Sequence, residues 1–256
     1  MRTSKYLKPH STHTITSTSA GAIDLHIFEH NDLAAGASIK GTIVTVHPWS
    51  ALGGGEHNTI GIASHITHAT GQKDASSGGQ WRVITFTLKS SGAVWGICSN
   101  HSYEVQQTVD VVNWVSEKYD SSKIVLFGSS AGAPIAGSAM AKLLKQENGK
   151  SISAYIAVGY TFGNFASLGF GRHFSSVVGS SSTDGRDLPP KLFIMGEKDE
   201  ITSVDQLKKM AQRMQAHGQV DVENVAGVGH FELESSTYDP MVAELVLGWI
   251  NKVLTS

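Results

Sequence analysis

The feature that most constrains the fold is the segment G-S-S-A-G at residues 128–132, which directly follows the apolar run K-I-V-L-F at residues 123–127. A short apolar run followed by glycine predicts a buried strand that ends in a tight turn. Residues 133–144 are small and then helix-forming, and the proline among them is tolerated in a first helical turn. The segment therefore predicts a strand, a sharp turn at Ser130 and a helix.

This turn also predicts a chemical role for Ser130. The pattern G-x-S-x-G is weak alone, because glycine and serine are abundant in the chain, but the strand before it and the helix after it strengthen it. A serine hydroxyl is a poor nucleophile at neutral pH, and a tight strand-to-helix turn exposes its oxygen to a base. We therefore expect Ser130 to be a catalytic nucleophile rather than part of an ordinary Gly/Ser turn.

The rest of the chain alternates between strand and helix patterns. A hairpin is predicted over residues 12–30, with the apolar residues Ile23, Leu25 and Ile27 on one face. Further strands are predicted at 41–46, 81–88, 123–127, 153–159, 191–195 and 219–225, and helices at 56–70 and 103–119, behind Ser203 and behind Asp239. Such alternation predicts an α/β fold: a mainly parallel sheet of about eight strands with helices on both faces.

Composition bounds the domain organisation and the function. The chain has 256 residues, of which 40% are hydrophobic and 16% charged, so we expect a single domain over residues 1–256 with an N-terminal extension of about residues 1–11.

A net charge of -2 provides no basic surface for nucleic acid, and no apolar run is long enough to span a membrane. The N-terminal residues lack the apolar core of a secretory signal, and Cys98 is the only cysteine, which favours a reducing, cytoplasmic location. Nothing in the sequence indicates an oligomeric state.

A serine nucleophile needs a base and an acid that orients it, and in an open α/β sheet these groups follow the carboxyl ends of strands. Asp199 follows the strand predicted at 191–195 and is the preferred acid, with Glu197 and Glu200 close enough to compete. His230 lies in a glycine-containing loop after the last strand and is the expected base, since imidazole gains and loses a proton near neutral pH. The chain order Ser, Asp, His is typical of one class of serine enzymes.

A third element follows the strand at 41–46. The oxyanion of a tetrahedral intermediate needs backbone N–H donors. One is expected from Ala131 and the other from Trp49, because Pro48 has no N–H; Ser50 is the alternative donor. His47 is interpreted as structural.

These motifs together resemble the α/β-hydrolase superfamily over roughly residues 40 to 250. The stretch H-P-W at residues 47–49, followed by G-G-G-E-H-N at 53–58, is similar to the oxyanion loop of small, lidless members. The resemblance implies a hydrolase of esters or related acyl compounds that uses Ser130, Asp199 and His230 as a triad and needs neither cofactor nor metal. Its partner would be a small-molecule acyl substrate. The expected substrate-binding residues are Ser50, Ser129 and Phe162.

The chain also departs from these relatives. Small members often carry an Arg-Gly run after the strand that matches residues 81–88, and residues 89–96 lack it. Only about thirty residues separate the strands at 153–159 and 191–195, too few for a full helical cap, so we expect an open or loop-covered site. In that segment Phe162, Phe165, Leu168 and Phe170 either line an acyl pocket or pack the loop onto the body of the protein.

Alternatives within this interpretation remain. A thioesterase, a peptidase or a lactonase would use the same residues, and a binding module or receptor of the same fold could retain a triad without hydrolysis. The pair His65 and His68 has helical spacing for a metal, but no third ligand is evident, and it is interpreted as helix surface.

Overall fold

A computed structural model describes residues 8–30, 38–50, 53–71, 79–89, 101–119, 123–146, 152–162, 173, 177 and 188–254. The strands are β1 (Ser11–Ser17), β2 (Gly21–Phe28), β3 (Ile39–Val46), β4 (Gln80–Phe86), β5 (Ile124–Ser129), β6 (Ile152–Val158), β7 (Lys191–Gly196) and β8 (Val220–Val225). The α-helices are α1 (His57–Gly71), α2 (Ser102–Tyr119), α3 (Gly132–Leu143), α4 (Val204–Met214), α5 (His230–Leu233) and α6 (Asp239–Leu254). In this part of the chain, no helix combines the length and the apolar character needed to cross a membrane.

The strands form one eight-stranded sheet in the order β1-β2-β4-β3-β5-β6-β7-β8. The first two strands form the predicted antiparallel hairpin, β2 is antiparallel to β4, and every other neighbouring pair is parallel. The predicted fold class is confirmed. Because β3, β5, β6, β7 and β8 run in the same direction, the loops that follow them meet at one edge of the sheet.

Two apolar layers cover the sheet. One face packs against α2, α3 and α4, and the other packs against α1 and α6. The structure confirms the burial predicted for the apolar strands. Every residue of β4 and β5 is buried, as expected for parallel strands with helices on both faces.

Local sequence signals explain several element ends. The Ser203 side chain accepts a hydrogen bond from the Gln206 N–H at 3.1 Å, and α4 begins at the next residue. α6 begins at Asp239, as the Asp-Pro pair predicts. One difference concerns His230, which was expected within a loop and instead begins the one-turn helix α5. The Gly229 N–H donates to the Glu232 carboxylate at 2.9 Å and thereby closes this turn.

Two glycines let α3 approach the sheet closely. A Cβ atom at Gly132 would overlap the backbone oxygen of Val46 and lie 2.5 Å from that of His47, both at the end of β3. A Cβ atom at Gly128 would lie 2.6 Å from the Gly132 oxygen. These are backbone atoms, which cannot rotate away, so a larger residue would have to push α3 away from β3.

Substitution of Gly132 tests this contact. Gly132→Ala should lower the free energy of unfolding by about 2 kcal/mol, because overpacking at a close contact forces the backbone to move. Gly248→Ala is the matched control: Gly248 is exposed on α6, and a Cβ atom there would meet nothing within 4 Å. That change should stabilise the protein by about 0.5–1 kcal/mol through helix propensity. Urea unfolding measures both, and a Gly132→Ala variant as stable as the original chain would contradict the account.

Candidate active site

Ser130 occupies the turn between β5 and α3. Its φ angle is 51°, in the left-handed region that residues other than glycine rarely adopt. The Ser130 N–H donates to the Val158 carbonyl of β6 at 2.8 Å, and the Ser130 carbonyl accepts from the Ala133 N–H at 3.0 Å. These bonds hold a strained residue at the carboxyl edge of the sheet, and such strain concentrates at functional sites.

The predicted triad residues are close together. The Ser130 hydroxyl and His230 Nε2 are 2.8 Å apart, and His230 Nδ1 lies 2.7 Å from Asp199 Oδ2. The imidazole is 1% exposed and the Asp199 side chain is fully buried. With Nδ1–H donating to Asp199, the lone pair of Nε2 faces the serine hydroxyl, so the chain of hydrogen bonds can carry a proton from Ser130 to His230.

Asp199 is held rigidly for this contact. Its second carboxylate oxygen accepts hydrogen bonds from the backbone N–H groups of Ile201 at 2.9 Å and Thr202 at 2.7 Å. One oxygen is therefore fixed by the turn after β7, and the other faces the imidazole.

The two competing carboxylates bind elsewhere on the same loop. Glu197 accepts a hydrogen bond from the Gly227 N–H at 2.8 Å, and Glu200 accepts one from the His230 N–H at 2.9 Å. Both therefore anchor the backbone of the segment that carries His230, while Asp199 contacts its ring. Sequence order alone could not separate these three residues.

The charges around His230 raise its pKa. Burial lowers the pKa of this imidazole, but the hydrogen bond and charge of Asp199, together with the charges of Glu234 and Glu200, outweigh burial and bring it above the ordinary value. An imidazolium formed when Ser130 loses its proton is thus stabilised by its surroundings.

The His47 ring joins two segments of the backbone, in agreement with the structural role inferred from the sequence. Its Nδ1–H donates to the Pro48 carbonyl at 2.6 Å, and its Nε2 accepts from the Leu88 N–H at 2.9 Å. Burial lowers the pKa of His47, which favours the neutral ring that this pair of bonds requires. The ring ties the loop after β3 to the end of β4. In that loop the Trp49 carbonyl accepts a hydrogen bond from the Gly54 N–H at 3.1 Å.

Two further polar residues are connected to the segment that carries His230, and no role was assigned to either from the sequence. Asn58 accepts a hydrogen bond from the Gly55 N–H at 3.0 Å and donates one to the Glu234 carbonyl at 3.2 Å, so it joins the loop after β3 to the segment after α5. Glu234 Oε1 lies 3.5 Å from His230 Nε2. Burial raises the pKa of the Glu234 carboxyl, and the neighbouring His230 and the Ser130 hydroxyl partly offset this. The i, i+4 spacing of His230 and Glu234 is the signal that could have revealed the pair.

Comparison with known structures identifies this architecture. An α/β serine hydrolase homologue from Coxiella burnetii matches with a TM-score of 0.62 at 20% identity, covering 93% of this chain and 95% of that one. The chain has the α/β-hydrolase fold. No protein-family model matches the sequence, and no curated protein matches it.

Other solved structures are similar over nearly the same length. An α/β serine hydrolase without a lid from Xanthomonas campestris matches with a TM-score of 0.63 at 17% identity, covering 95% of each chain. Carboxyl esterase 2 from the mycorrhizal fungus Tuber melanosporum matches with a TM-score of 0.69 at 15% identity, covering 95% of this chain and 87% of that one. At these identities the likeness establishes the fold, while substrate and mechanism have to be argued from the residues.

The two predicted oxyanion donors come from different segments: Ala131 directly follows Ser130, and Trp49 is distant from it in sequence. Ala131 is almost fully buried at the N-cap of α3, and Trp49 is partly buried in the loop after β3. The approach of Gly132 to the Val46 and His47 carbonyls brings these two segments together. The oxyanion role of Trp49 and Ala131 stays a prediction.

The expected substrate-binding residues differ in exposure. Ser50 is exposed, Ser129 is 2% exposed at the end of β5, and Phe162 is partly buried. The Phe162 N–H donates to the Thr202 hydroxyl at 3.0 Å, and that hydroxyl donates to the Phe162 carbonyl at 2.8 Å, which ties Phe162 to the loop of Asp199. The role of all three in substrate binding stays a prediction. Phe165, Leu168 and Phe170, the other candidates for the acyl pocket, lie outside the described residues.

The three carboxylates after β7 can be distinguished by substitution. Asp199→Asn should lower kcat by about 10³–10⁴-fold, because the amide cannot hold the imidazole in the required tautomer. Glu197→Gln and Glu200→Gln should each cost less than about tenfold, because each loses one bond to a backbone N–H and leaves the imidazole contact intact. Steady-state kinetics on an aryl ester measures all three, and a larger loss at Glu197 or Glu200 than at Asp199 would contradict this assignment.

Proposed function

We propose that the protein is a serine hydrolase that cleaves a carboxylic ester, or a related acyl compound, through an acyl-enzyme on Ser130. The observation that carries this proposal is the continuous hydrogen-bonded chain from the Ser130 hydroxyl through His230 to Asp199. The α/β-hydrolase fold and its similarity to serine hydrolases and esterases support it.

In the acylation step, His230 Nε2 removes the hydroxyl proton of Ser130 while the oxygen attacks the substrate carbonyl. Asp199 fixes the tautomer of the ring and stabilises the imidazolium that forms. The left-handed turn at Ser130 places the residue at the carboxyl ends of the strands, where the proposed attack takes place.

The tetrahedral intermediate places negative charge on the former carbonyl oxygen. The N–H groups of Trp49 and Ala131 are proposed as its donors, with Ser50 as the alternative to Trp49. Each such donor is worth about 10²–10³-fold in kcat where it has been removed from a serine hydrolase. Collapse of the intermediate expels the leaving group, which takes the proton from His230 Nε2.

Deacylation repeats these steps with water as the nucleophile, and Ser130 regains its proton from His230. The residues named supply the base, the acid and the oxyanion donors, so the proposed mechanism uses neither a cofactor nor a metal. Ser50, Ser129 and Phe162 are proposed to contact the substrate. A cytoplasmic location is inferred from the single cysteine, which cannot form an internal disulfide.

Labelling and turnover together test the proposal. A fluorophosphonate probe should label the folded protein, and Ser130→Ala should abolish the labelling and lower kcat on a short-chain aryl ester by at least about 10³-fold, as expected on loss of the nucleophile. Ser38→Ala is the matched control, since Ser38 is exposed at the opposite edge of the sheet, before β3. It should retain full labelling and turnover.

The outcomes separate the alternatives. Unlabelled protein that still binds acyl ligands would indicate a non-hydrolytic binding protein and would overturn the proposal. If labelling occurs at Ser130, relative turnover of matched ester, thioester, lactone and peptide substrates then ranks the classes, because specificity depends on the shape of the pocket.

A further inference from the structure

Glu234 places a buried carboxyl beside the reacting atoms. Its side chain is 8% exposed, and Oε1 lies 3.5 Å from His230 Nε2, the nitrogen that faces the Ser130 hydroxyl. Within the described part of the chain, no donor meets Oε1 with hydrogen-bond geometry. The Ser130 hydroxyl is close enough to lower the pKa of the carboxyl, but its one proton faces His230 Nε2, and it is absent once Ser130 is acylated. A buried carboxyl oxygen without a donor is costly, which suggests that a donor arrives during the reaction.

The backbone of Glu234 is held in place on both sides. Glu234 follows α5, whose first residue is His230, so one helical turn separates the two side chains. The Glu234 carbonyl accepts a hydrogen bond from Asn58 at 3.2 Å, and Asn58 is itself bonded to the Gly55 N–H. The backbone that carries the carboxyl is therefore fixed relative to His230 and to the loop after β3.

The position beside His230 Nε2 is occupied twice in the proposed reaction, first by the leaving group and then by the attacking water. A water molecule has two O–H groups, and only one of them can donate to Nε2. Two acceptors 3.5 Å apart can both be reached by one water, each at about 2.8 Å.

We propose that Glu234 Oε1 accepts the second O–H of the deacylating water and so orients its oxygen toward the acyl carbonyl carbon. This inference rests on the proposed function. A carboxyl oxygen can accept this bond in the ionised form, and the carbonyl oxygen can accept it in the protonated form. Glu234 is thus a positioning residue for the second half of the reaction.

Attack by this water forms one bond to the acyl carbon and breaks another. The water oxygen bonds to the acyl carbon, one water proton moves to His230 Nε2, and the other remains on the oxygen and donates to Glu234. The bond between the acyl carbon and Ser130 Oγ then breaks, and Oγ takes the proton from Nε2. The products are a carboxylic acid and the free serine.

Pre-steady-state kinetics with p-nitrophenyl acetate separates acylation from deacylation. Glu234→Leu, which removes the acceptor, should slow deacylation about tenfold and leave the acylation rate within about threefold, so that the burst becomes more pronounced. Glu234→Gln retains a carbonyl oxygen and should stay within about threefold of the original deacylation rate. Glu244→Leu, at an exposed position on α6, is the matched control and should change neither rate.

Methanol provides a second readout that a loss of folded protein would not change. Methanol has a single O–H group, so its attack on the acyl-enzyme does not need the acceptor on Glu234. In the presence of methanol, the ratio of methyl acetate to acetate should rise about tenfold in Glu234→Leu relative to the original chain. Because this is a ratio of products, it is independent of the concentration of active enzyme.

Three results would overturn the inference: an unchanged deacylation rate in Glu234→Leu, an unchanged product ratio, or a Glu234→Gln variant as slow as Glu234→Leu. In each case a burst in the original chain would leave the proposed function intact. If the original chain shows neither a burst nor labelling of Ser130, the proposed function fails, and the role of Glu234 fails with it.

Discussion

The close backbone contact around Ser130 is the constraint on which the rest of the site depends. Glycines at 128 and 132 let α3 approach β3 and β5 so closely that a methyl group at either position would overlap backbone atoms. Ser130 between them is held with a φ angle of 51°, and its N–H is bonded to β6. The buried backbone hydrogen bonds around Ser130 hold this strained turn in place. The turn puts the Ser130 hydroxyl at the carboxyl edge of the sheet.

A second group of interactions brings the His230 ring to that hydroxyl. The turn after β7 supplies three carboxylates with separate partners: Asp199 binds the His230 ring, Glu200 binds the His230 backbone, and Glu197 binds Gly227 in the preceding loop. Charge-assisted bonds of this kind are stronger than neutral ones, so the His230 segment is fixed from one side by a single turn. Asn58 fixes it from the other side through the Glu234 carbonyl. The precise placement of Ser130, His230 and Asp199 therefore comes from the residues around them as much as from these three residues.

Much of this could be predicted from the sequence, because the signals are local. The apolar run before Ser130 indicated a buried strand, the glycines indicated a turn, and alternating strand and helix patterns indicated a mainly parallel sheet; the structure confirms these predictions. The chain order of Ser130, Asp199 and His230 pointed to residues that the fold brings within hydrogen-bond distance.

The remaining features depend on contacts that no local pattern encodes. The strand order places β4 between β2 and β3, which follows from packing across the whole sheet. Asp199 could not be separated from Glu197 and Glu200, because all three lie within four residues and only the shape of the turn decides which carboxylate faces the ring. No role was assigned to Asn58 from the sequence, because its bond to the Glu234 carbonyl forms where two distant loops meet. Glu234 is different, since its i, i+4 spacing from His230 was a local signal that the sequence interpretation did not use.

The most direct test of the central claim is to locate the acyl group by mass spectrometry. The protein would be mixed with p-nitrophenyl acetate, quenched in acid during turnover and digested, and the acetylated peptide sequenced. We expect the acetyl group on Ser130, and we expect it to disappear once the substrate is exhausted. Turnover with no acetylated Ser130 peptide, or with the acetyl group on another side chain that forms and decays at the rate of turnover, would contradict the central claim.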